Sequence, residues 1–227
     1  QALPINYTFE TLEKKIAIKN HLRKSHQIPL SDTPLVSCIS RLVPQKGIRM
    51  IRRAIEVTLE LGGQFILFGS SPIAKIQDDF NRMRDDLKEN PNVVFIFNSY
   101  NEDLAHQIYA GSDMLIVPSI FEPCGLTQLI ALQYGTIPIV RKTGGLANTV
   151  FDVQNDQGQP LKTNGFTFEK PTLKNMERTL KRAFKTWREH PELWKTLSQR
   201  GMQSDLSWSK PAEEYLKLYE HFYTASK

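Results

Sequence analysis

The sequence predicts an α/β fold: a Rossmann-like, doubly wound parallel sheet of about six strands, with additional helices at the carboxyl end. Two observations predict it. Short apolar runs alternate along the chain with stripes of apolar residues at helical spacing. Each run is apolar throughout rather than alternating, as in a parallel strand covered on both faces. Ligands of such folds bind beyond the carboxyl ends of the strands.

The elements follow in order. Residues 35–40 form the first apolar run. Ile48, Ile51, Ile55 and Leu59 then recur at spacings of three and four, and Gly62-Gly63 ends that helix. Residues 64–68 are the second strand, closed by Gly69-Ser70-Ser71-Pro72. Ile73, Ile76, Phe80, Met83 and Leu87 mark the next helix, stopped by Asn90-Pro91-Asn92. Strands are predicted over 93–97, 114–118, 137–140 and 165–168. Helices are predicted over 102–110 and 125–134, with a short helical stretch after Gly144-Gly145. Residues 152–164 read as a long surface loop. The last part of the chain reads as three helices, over 172–188, 191–202 and 211–223, rich in aromatic residues. The first 30 residues are polar, with Leu12, Ile16, Ile18 and Leu22 at loosely helical spacing.

Composition narrows the class. Of 227 residues, 40% are hydrophobic and 23% charged, which excludes a disordered tail, a collagen-like rod and a small disulfide scaffold. No uncharged apolar run approaches the ~20 residues that span a bilayer. The two cysteines, Cys38 and Cys124, cannot form a disulfide framework and point to a reducing compartment; no Cys/His spacing suits zinc. The net charge of +5 fits solvated helix faces or an anionic ligand. Phosphates of a nucleotide suit it better than nucleic acid, whose domains concentrate their cations on one face. The chain opens Gln-Ala-Leu-Pro, without an initiator Met or a signal-peptide pattern, so a segment of a longer protein is expected.

Three loops after strands carry the chemistry. Ser40-Arg41-Leu42-Val43-Pro44-Gln45-Lys46-Gly47 sets Arg41 and Lys46 beside a helix N-terminus. There they make a diphosphate site or remain solvated loop cations. Pro118-Ser119-Ile120-Phe121-Glu122-Pro123-Cys124-Gly125-Leu126-Thr127-Gln128 aims the N–H groups of Cys124, Gly125, Leu126 and Thr127 at a bound anion. Glu122 repels phosphate, so it either accepts hydrogen bonds from sugar hydroxyls or is an acid at a helix start. Cys124 reads either as a thiol activated by a helix N-terminus or as a small buried residue that lets a ligand approach; no His is near it in sequence. Arg141-Lys142-Thr143-Gly144-Gly145-Leu146 supplies a third set of N–H groups. Tyr100, after the third strand, is placed to stack on a base.

On these runs the chain resembles the starch/glycogen synthase family over nearly its whole length, from about Ala17 to about Tyr223. The Glu-Pro-Cys-Gly-Leu-Thr-Gln run is the most specific part. Leu59-Glu60-Leu61-Gly62-Gly63-Gln64-Phe65 and Gly69-Ser70-Ser71-Pro72 look most like plant soluble starch synthases of classes three and four and their bacterial relatives. The resemblance implies one half of a glycosyltransferase B fold, the carboxyl-terminal donor-binding domain. It implies transfer of glucose from ADP-glucose to an α-1,4-glucan with retention and without a metal or cofactor. It implies Arg41 and Lys46 on the diphosphate, Tyr100 on adenine, and Glu122 on the donor glucose. Cys124, Gly125, Leu126 and Thr127 would receive the distal phosphate, and Thr143, Gly144 and Gly145 would line the pocket. Glu122, Arg41 and Lys46 are the expected catalytic group. Residues 1–30 are then expected to be an interdomain connection, 31–190 the nucleotide-sugar domain, and 191–227 helices reaching toward an amino-terminal domain that holds the glucan acceptor. Such a segment alone is expected to be inactive. No nucleic acid or membrane partner is expected, and the compartment would be a plastid in a plant or the cytoplasm in a bacterium. A glucan-associated scaffold without turnover, or a transferase of the same fold using UDP-glucose, are the alternatives. Where related retaining transferases carry a second Glu, eight positions after the first, this chain has Ile130, a position at which the family tolerates apolar residues.

Overall fold

The computed structural model of the chain describes residues 3–97, 101–154 and 162–225. Six parallel strands form one sheet in the order β3-β2-β1-β4-β5-β6. They are β1 (Leu35–Ile39), β2 (Gln64–Phe68), β3 (Val93–Ile96), β4 (Met114–Val117), β5 (Ile137–Arg141) and β6 (Phe166–Phe168). Every strand predicted from an apolar run is present, and every pairing is parallel.

The sheet is covered on both faces, which explains the continuous apolar runs. Along β1, Val36 and Cys38 face one core layer while Leu35 and Ile39 face the other. The first layer is closed by α2 (Ile48–Glu60), α3 (Ala74–Asp86) and α7 (Leu173–Glu189), through Ile51, Ile55, Phe80, Leu180 and Phe184. The second is closed by α1 (Lys15–Ser25), α4 (Glu102–Gly111) and α5 (Thr127–Gln133), through Leu22, Ile108 and Ala131, with Leu146 from the short α6 (Gly144–Thr149). Local sequence sets the helix starts. Asn101 Oδ1 accepts from the Leu104 N–H at 3.0 Å to begin α4, and Thr172 caps α7 through Asn175 N–H. Pro191 opens α8 (Pro191–Gln203), where its missing N–H costs nothing. The last helix is α9 (Ser209–Ala225).

The polar amino-terminal segment is bound to the core more tightly than its composition suggests. On α1, Ile18 and Leu22 are buried, and so are Lys19 and Arg23. Lys19 Nζ pairs with Asp113 Oδ2 at 2.6 Å. Arg23 donates to Gln64 Oε1 at 2.7 Å and to the carbonyls of Ser31 and Thr33. These cations satisfy oxygens at the amino edge of the sheet, a use the apolar spacing alone does not reveal.

Strand order reverses between β1 and β4. β1 continues through β2 to β3 on one side, and β4 through β5 to β6 on the other. A crevice therefore opens beyond the carboxyl ends of β1 and β4, between the loops that follow them.

Candidate active site

The loops after β1 and β4 meet at that crevice. Pro44 starts a short 3-10 turn ending at Lys46, and Gly47 follows with φ +77°. A Cβ on Gly47 would sit 2.2 Å from the Pro118 carbonyl oxygen, so only glycine lets the two loops close. Ile120 N–H donates to Gln45 O at 2.7 Å, and Gln45 Nε2 donates to Phe121 O at 2.9 Å. Lys46 Nζ lies 2.5 Å from Glu122 Oε2. Ser119 Oγ, fully buried, donates to the same oxygen at 3.0 Å.

The loop after β5 braces this arrangement from behind. Gly145 N–H donates to the carbonyls of Glu122 and Pro123, both at 3.1 Å. A Cβ on Gly145 would fall 2.0 Å from the Cys124 carbonyl oxygen. Thr143 precedes α6 in extended conformation, and Gly144 approaches Glu122 O as closely. An Arg141 N–H donates to Ile120 O.

Two adjoining cavities occupy the crevice. One, of about 150 Å³, is lined by Cys38, Ser40, Arg41, Lys46, Ser119 and Thr127. The other, of about 320 Å³, is lined by Ser40, Arg41, Gly69, Ser70, Leu126 and Thr127. Ser40, Arg41 and Thr127 belong to both. Arg41 is exposed and has no ion-pair partner among the described residues. Burial pushes the Cys38 thiol up to about 12, with Lys46 pulling the other way. A larger groove of about 660 Å³ lies beside Ile48, Ile76, Ile120 and Leu173, but it is apolar and gathers no convergent polar set. Among the described residues there is no group of three or more His, Cys, Asp or Glu placed to hold a metal, and no helix long and apolar enough to cross a membrane.

Arg41, Lys46, Glu122 and Thr127 thus converge on one crevice, as the sequence predicts. Gly144 and Gly145 support the Glu122 loop through backbone contacts. Tyr100 lies outside the described residues. Two expectations are corrected. Cys124 is exposed rather than buried, because the loop turns outward before the helix. That helix begins at Thr127, not near Gly125, because Gly125 takes φ +75°, outside the helical region. Glu122 stands five residues before it, held by a cation and a hydroxyl, so it is not a helix-start acid. Ser119 and Gln128 have roles that the sequence alone does not reveal. Ser119 holds the Glu122 carboxylate, and Gln128 Nε2 donates to the carbonyls of Cys124 and Gly125. The only signal for either was a small or amide side chain within a loop already marked by its glycine and proline.

The family model described as glycosyl transferases group 1 matches residues 19–201. The chain belongs to that family. Among curated group 1 relatives it is 49% identical over 210 residues to a glycogen synthase of Protochlamydia amoebophila, covering 92% of this chain and 42% of that protein. It is 45% identical over 219 residues to the probable starch synthase 4, chloroplastic/amyloplastic, of Arabidopsis thaliana, covering 96% of this chain and 21% of that protein. The chain therefore spans less than half the length of these relatives. The solved catalytic domain of starch synthase IV from Arabidopsis thaliana, bound to ADP and acarbose, superposes with a TM-score of 0.93 at 45% identity, over 97% of this chain and 45% of that one. A sucrose-phosphate synthase from Thermosynechococcus elongatus, at 22% identity and TM-score 0.64, shares the fold. The Rossmann-like parallel sheet and the kinship with starch and glycogen synthases expected from the sequence both hold.

Proposed function

We propose that the chain is the donor-binding half of a retaining glucosyltransferase that takes ADP-glucose and extends an α-1,4-glucan. The observation that carries this is the convergence of Arg41, Lys46, Glu122 and Thr127 at the β1/β4 crevice, in a chain 45% identical to a synthase domain bound to ADP and acarbose.

In this reading Arg41 and Lys46 bind the diphosphate, with Thr127 and the N–H groups of Cys124, Gly125 and Leu126 at the distal phosphate. Thr143, Gly144 and Gly145 hold the wall behind. Glu122 accepts hydrogen bonds from the donor glucose. The bond from glucose C1 to the phosphate oxygen breaks, and the acceptor hydroxyl oxygen bonds to C1 on the same face. Its proton passes to the leaving phosphate. Cations and oriented N–H groups stabilise the charge that grows on ADP, so the reading requires no metal. The two-carboxylate scheme of glycosidases is not needed. A second half of the protein would present the glucan. A plastid is the compartment in a plant and the cytoplasm in a bacterium.

Calorimetric titration with ADP tests it. The wild-type chain binds ADP, and Lys46→Ala, still folded, binds it about tenfold or more weakly, the loss expected for a charge-assisted hydrogen bond. Equal affinities would remove Lys46 from the site.

A further inference from the structure

The segments that precede and follow the α/β core converge on one end of one helix. α5 has seven residues and is about 10 Å long. Its first residue, Thr127, lines both cavities of the crevice. Beside it, Gln128 Nε2 donates to Cys124 O at 3.2 Å, Gly125 O at 2.9 Å and Thr149 Oγ1 at 3.2 Å. The loop after β4, proposed to meet phosphate, and the carboxyl end of α6 behind it are therefore fastened to the amino end of α5.

The opposite end is gripped from outside. The carbonyl of Tyr134, the C-cap, accepts from Tyr7 OH at 2.7 Å and from Lys15 Nζ at 3.1 Å. Lys15 Nζ also donates to Ala110 O and Thr136 Oγ1, both at 2.7 Å. An ammonium thus ties the carboxyl ends of α4 and α5 together, where helix carbonyls lack intrahelical partners and the dipole favours a cation. From the other flank, Gln133 Nε2 donates to Ser204 O at 2.9 Å, and Leu12 and Met202 close on Gly135. Gln199 Nε2 donates to Phe9 O at 3.0 Å, joining the two flanking segments to each other.

We propose that Tyr7 and Lys15 are positioning residues for the donor crevice, acting through α5. The inference rests on the donor-site reading above. A short helix is stiff along its axis. Releasing its carboxyl end lets Thr127 and the Gln128-bound loop shift against Arg41 and Lys46. An ADP site that depends on their joint placement then weakens.

The test uses Tyr7→Phe, which removes one hydroxyl and no charge, and Lys15→Met. Burial, with a smaller push from Lys19, draws the Lys15 ammonium down to about 7 against the opposing pull of Asp113, so measurements are made near pH 6 where it is charged. ADP affinity falls about three- to tenfold in Tyr7→Phe, the size expected for one hydrogen bond coupled to binding, with the thermal midpoint nearly unchanged. Because coupling is reciprocal, ADP slows amide hydrogen exchange at Tyr134, Gly135 and Thr136 in the wild type, and the slowing shrinks in Tyr7→Phe. If Lys15→Met does not fold, Tyr7→Phe alone decides. Wild-type ADP affinity in folded variants, or no ADP effect on those amides, overturns the proposal and leaves the donor site standing. A wild-type chain that binds no ADP overturns both.

Discussion

Lys46 Nζ and Glu122 Oε2 are 2.5 Å apart, and their side chains keep only 21% and 10% of their exposure. The proposed phosphate cation is thus paired with the proposed sugar acceptor. On the donor-site reading, a phosphate of ADP would compete with the Glu122 carboxylate for the Lys46 ammonium.

Glu122→Gln should therefore leave ADP affinity equal to wild type or tighter, since Lys46 is no longer held by a carboxylate. Turnover in the full-length enzyme should fall, because the amide offers one acceptor oxygen to sugar hydroxyls where the carboxylate offers two. Ser119 still donates to the remaining carbonyl oxygen and keeps the side chain in place. Calorimetry with ADP and steady-state kinetics with ADP-glucose separate the two effects. A parallel loss of ADP binding and turnover would assign Glu122 a structural role.

Gly145→Ala should injure stability and binding together. Its Cβ would fall 2.0 Å from the Cys124 carbonyl carbon's oxygen, a backbone atom that cannot rotate aside. The loops after β4 and β5 must part, at about 1–3 kcal/mol for overpacking of this kind. The N–H donated by Gly145 to Glu122 O is displaced with them. A lower thermal midpoint together with weaker ADP binding is expected. Full affinity at wild-type stability would show that the β5 loop does not support the site.

How far the sequence reached follows from which interactions are local. β2 is bounded as its apolar run predicts, and Arg41, Lys46 and Glu122 meet because the strand order brings their loops to one crevice. Strand burial is continuous along each apolar run and so is visible in the chain. The partners of Lys15 are not, because Ala110 O and Thr136 Oγ1 lie 95 and 121 positions away. The same holds for Arg23, whose bond to Gln64 closes the amino edge of the sheet. Cys124 failed as a buried residue because a left-handed turn at Gly125 decides the loop's direction, and composition does not encode that direction.

The two cysteines should react at very different rates. Cys38 is buried, which pushes its thiol up to about 12, while Cys124 is exposed. A native-state thiol titration should modify Cys124 alone, with Cys38 reacting only in denaturant. Because the 124–127 backbone is proposed to receive the distal phosphate, ADP should slow that modification. Unchanged kinetics at saturating ADP would move the phosphate away from this loop.

Acid stability should depend on Asp152 and Arg182. Arg182 donates to Oδ1 at 2.7 Å and to Oδ2 at 2.5 Å, and Asp152 also accepts from Thr167 N–H at 2.6 Å and Gln154 N–H at 2.8 Å. Burial raises the Asp152 carboxyl, but Arg182 and these N–H donors outweigh it and hold the group below its ordinary value. A depressed carboxylate contributes stability that is full above its unfolded value of about 3.9 and is lost as pH falls through the folded value. Arg182→Met leaves a buried carboxylate unpaired, at about 3–5 kcal/mol near neutral pH. That deficit should shrink on acidification, as Asp152 takes up a proton. Denaturant melts at pH 7 and pH 4 measure it. A deficit that stays constant between them would show that the pair is not what stabilises the β5–β6 connection.

The chain alone should bind ADP yet fail to elongate glucan. Its crevice presents both proposed phosphate cations and Glu122, so the donor side needs nothing further to capture nucleotide. Transfer requires an acceptor hydroxyl held at near-attack distance from C1, and positioning of that kind is worth up to ~7–11 kcal/mol. The chain spans 42% of the glycogen synthase it resembles, and its single sheet is fully used in building the donor edge. α9 carries an exposed apolar face. Tyr215, Leu216, Tyr219 and Phe222 stand 52–65% exposed, an apolar surface that water does not favour. The isolated chain should self-associate through that helix, and Tyr219→Lys with Phe222→Glu should reduce association without altering ADP affinity. Incorporation of labelled glucose from ADP-glucose into glycogen measures the main claim. A rate approaching that of a full-length synthase would mean that the donor half also positions the acceptor, and the division of labour across two domains would have to be abandoned.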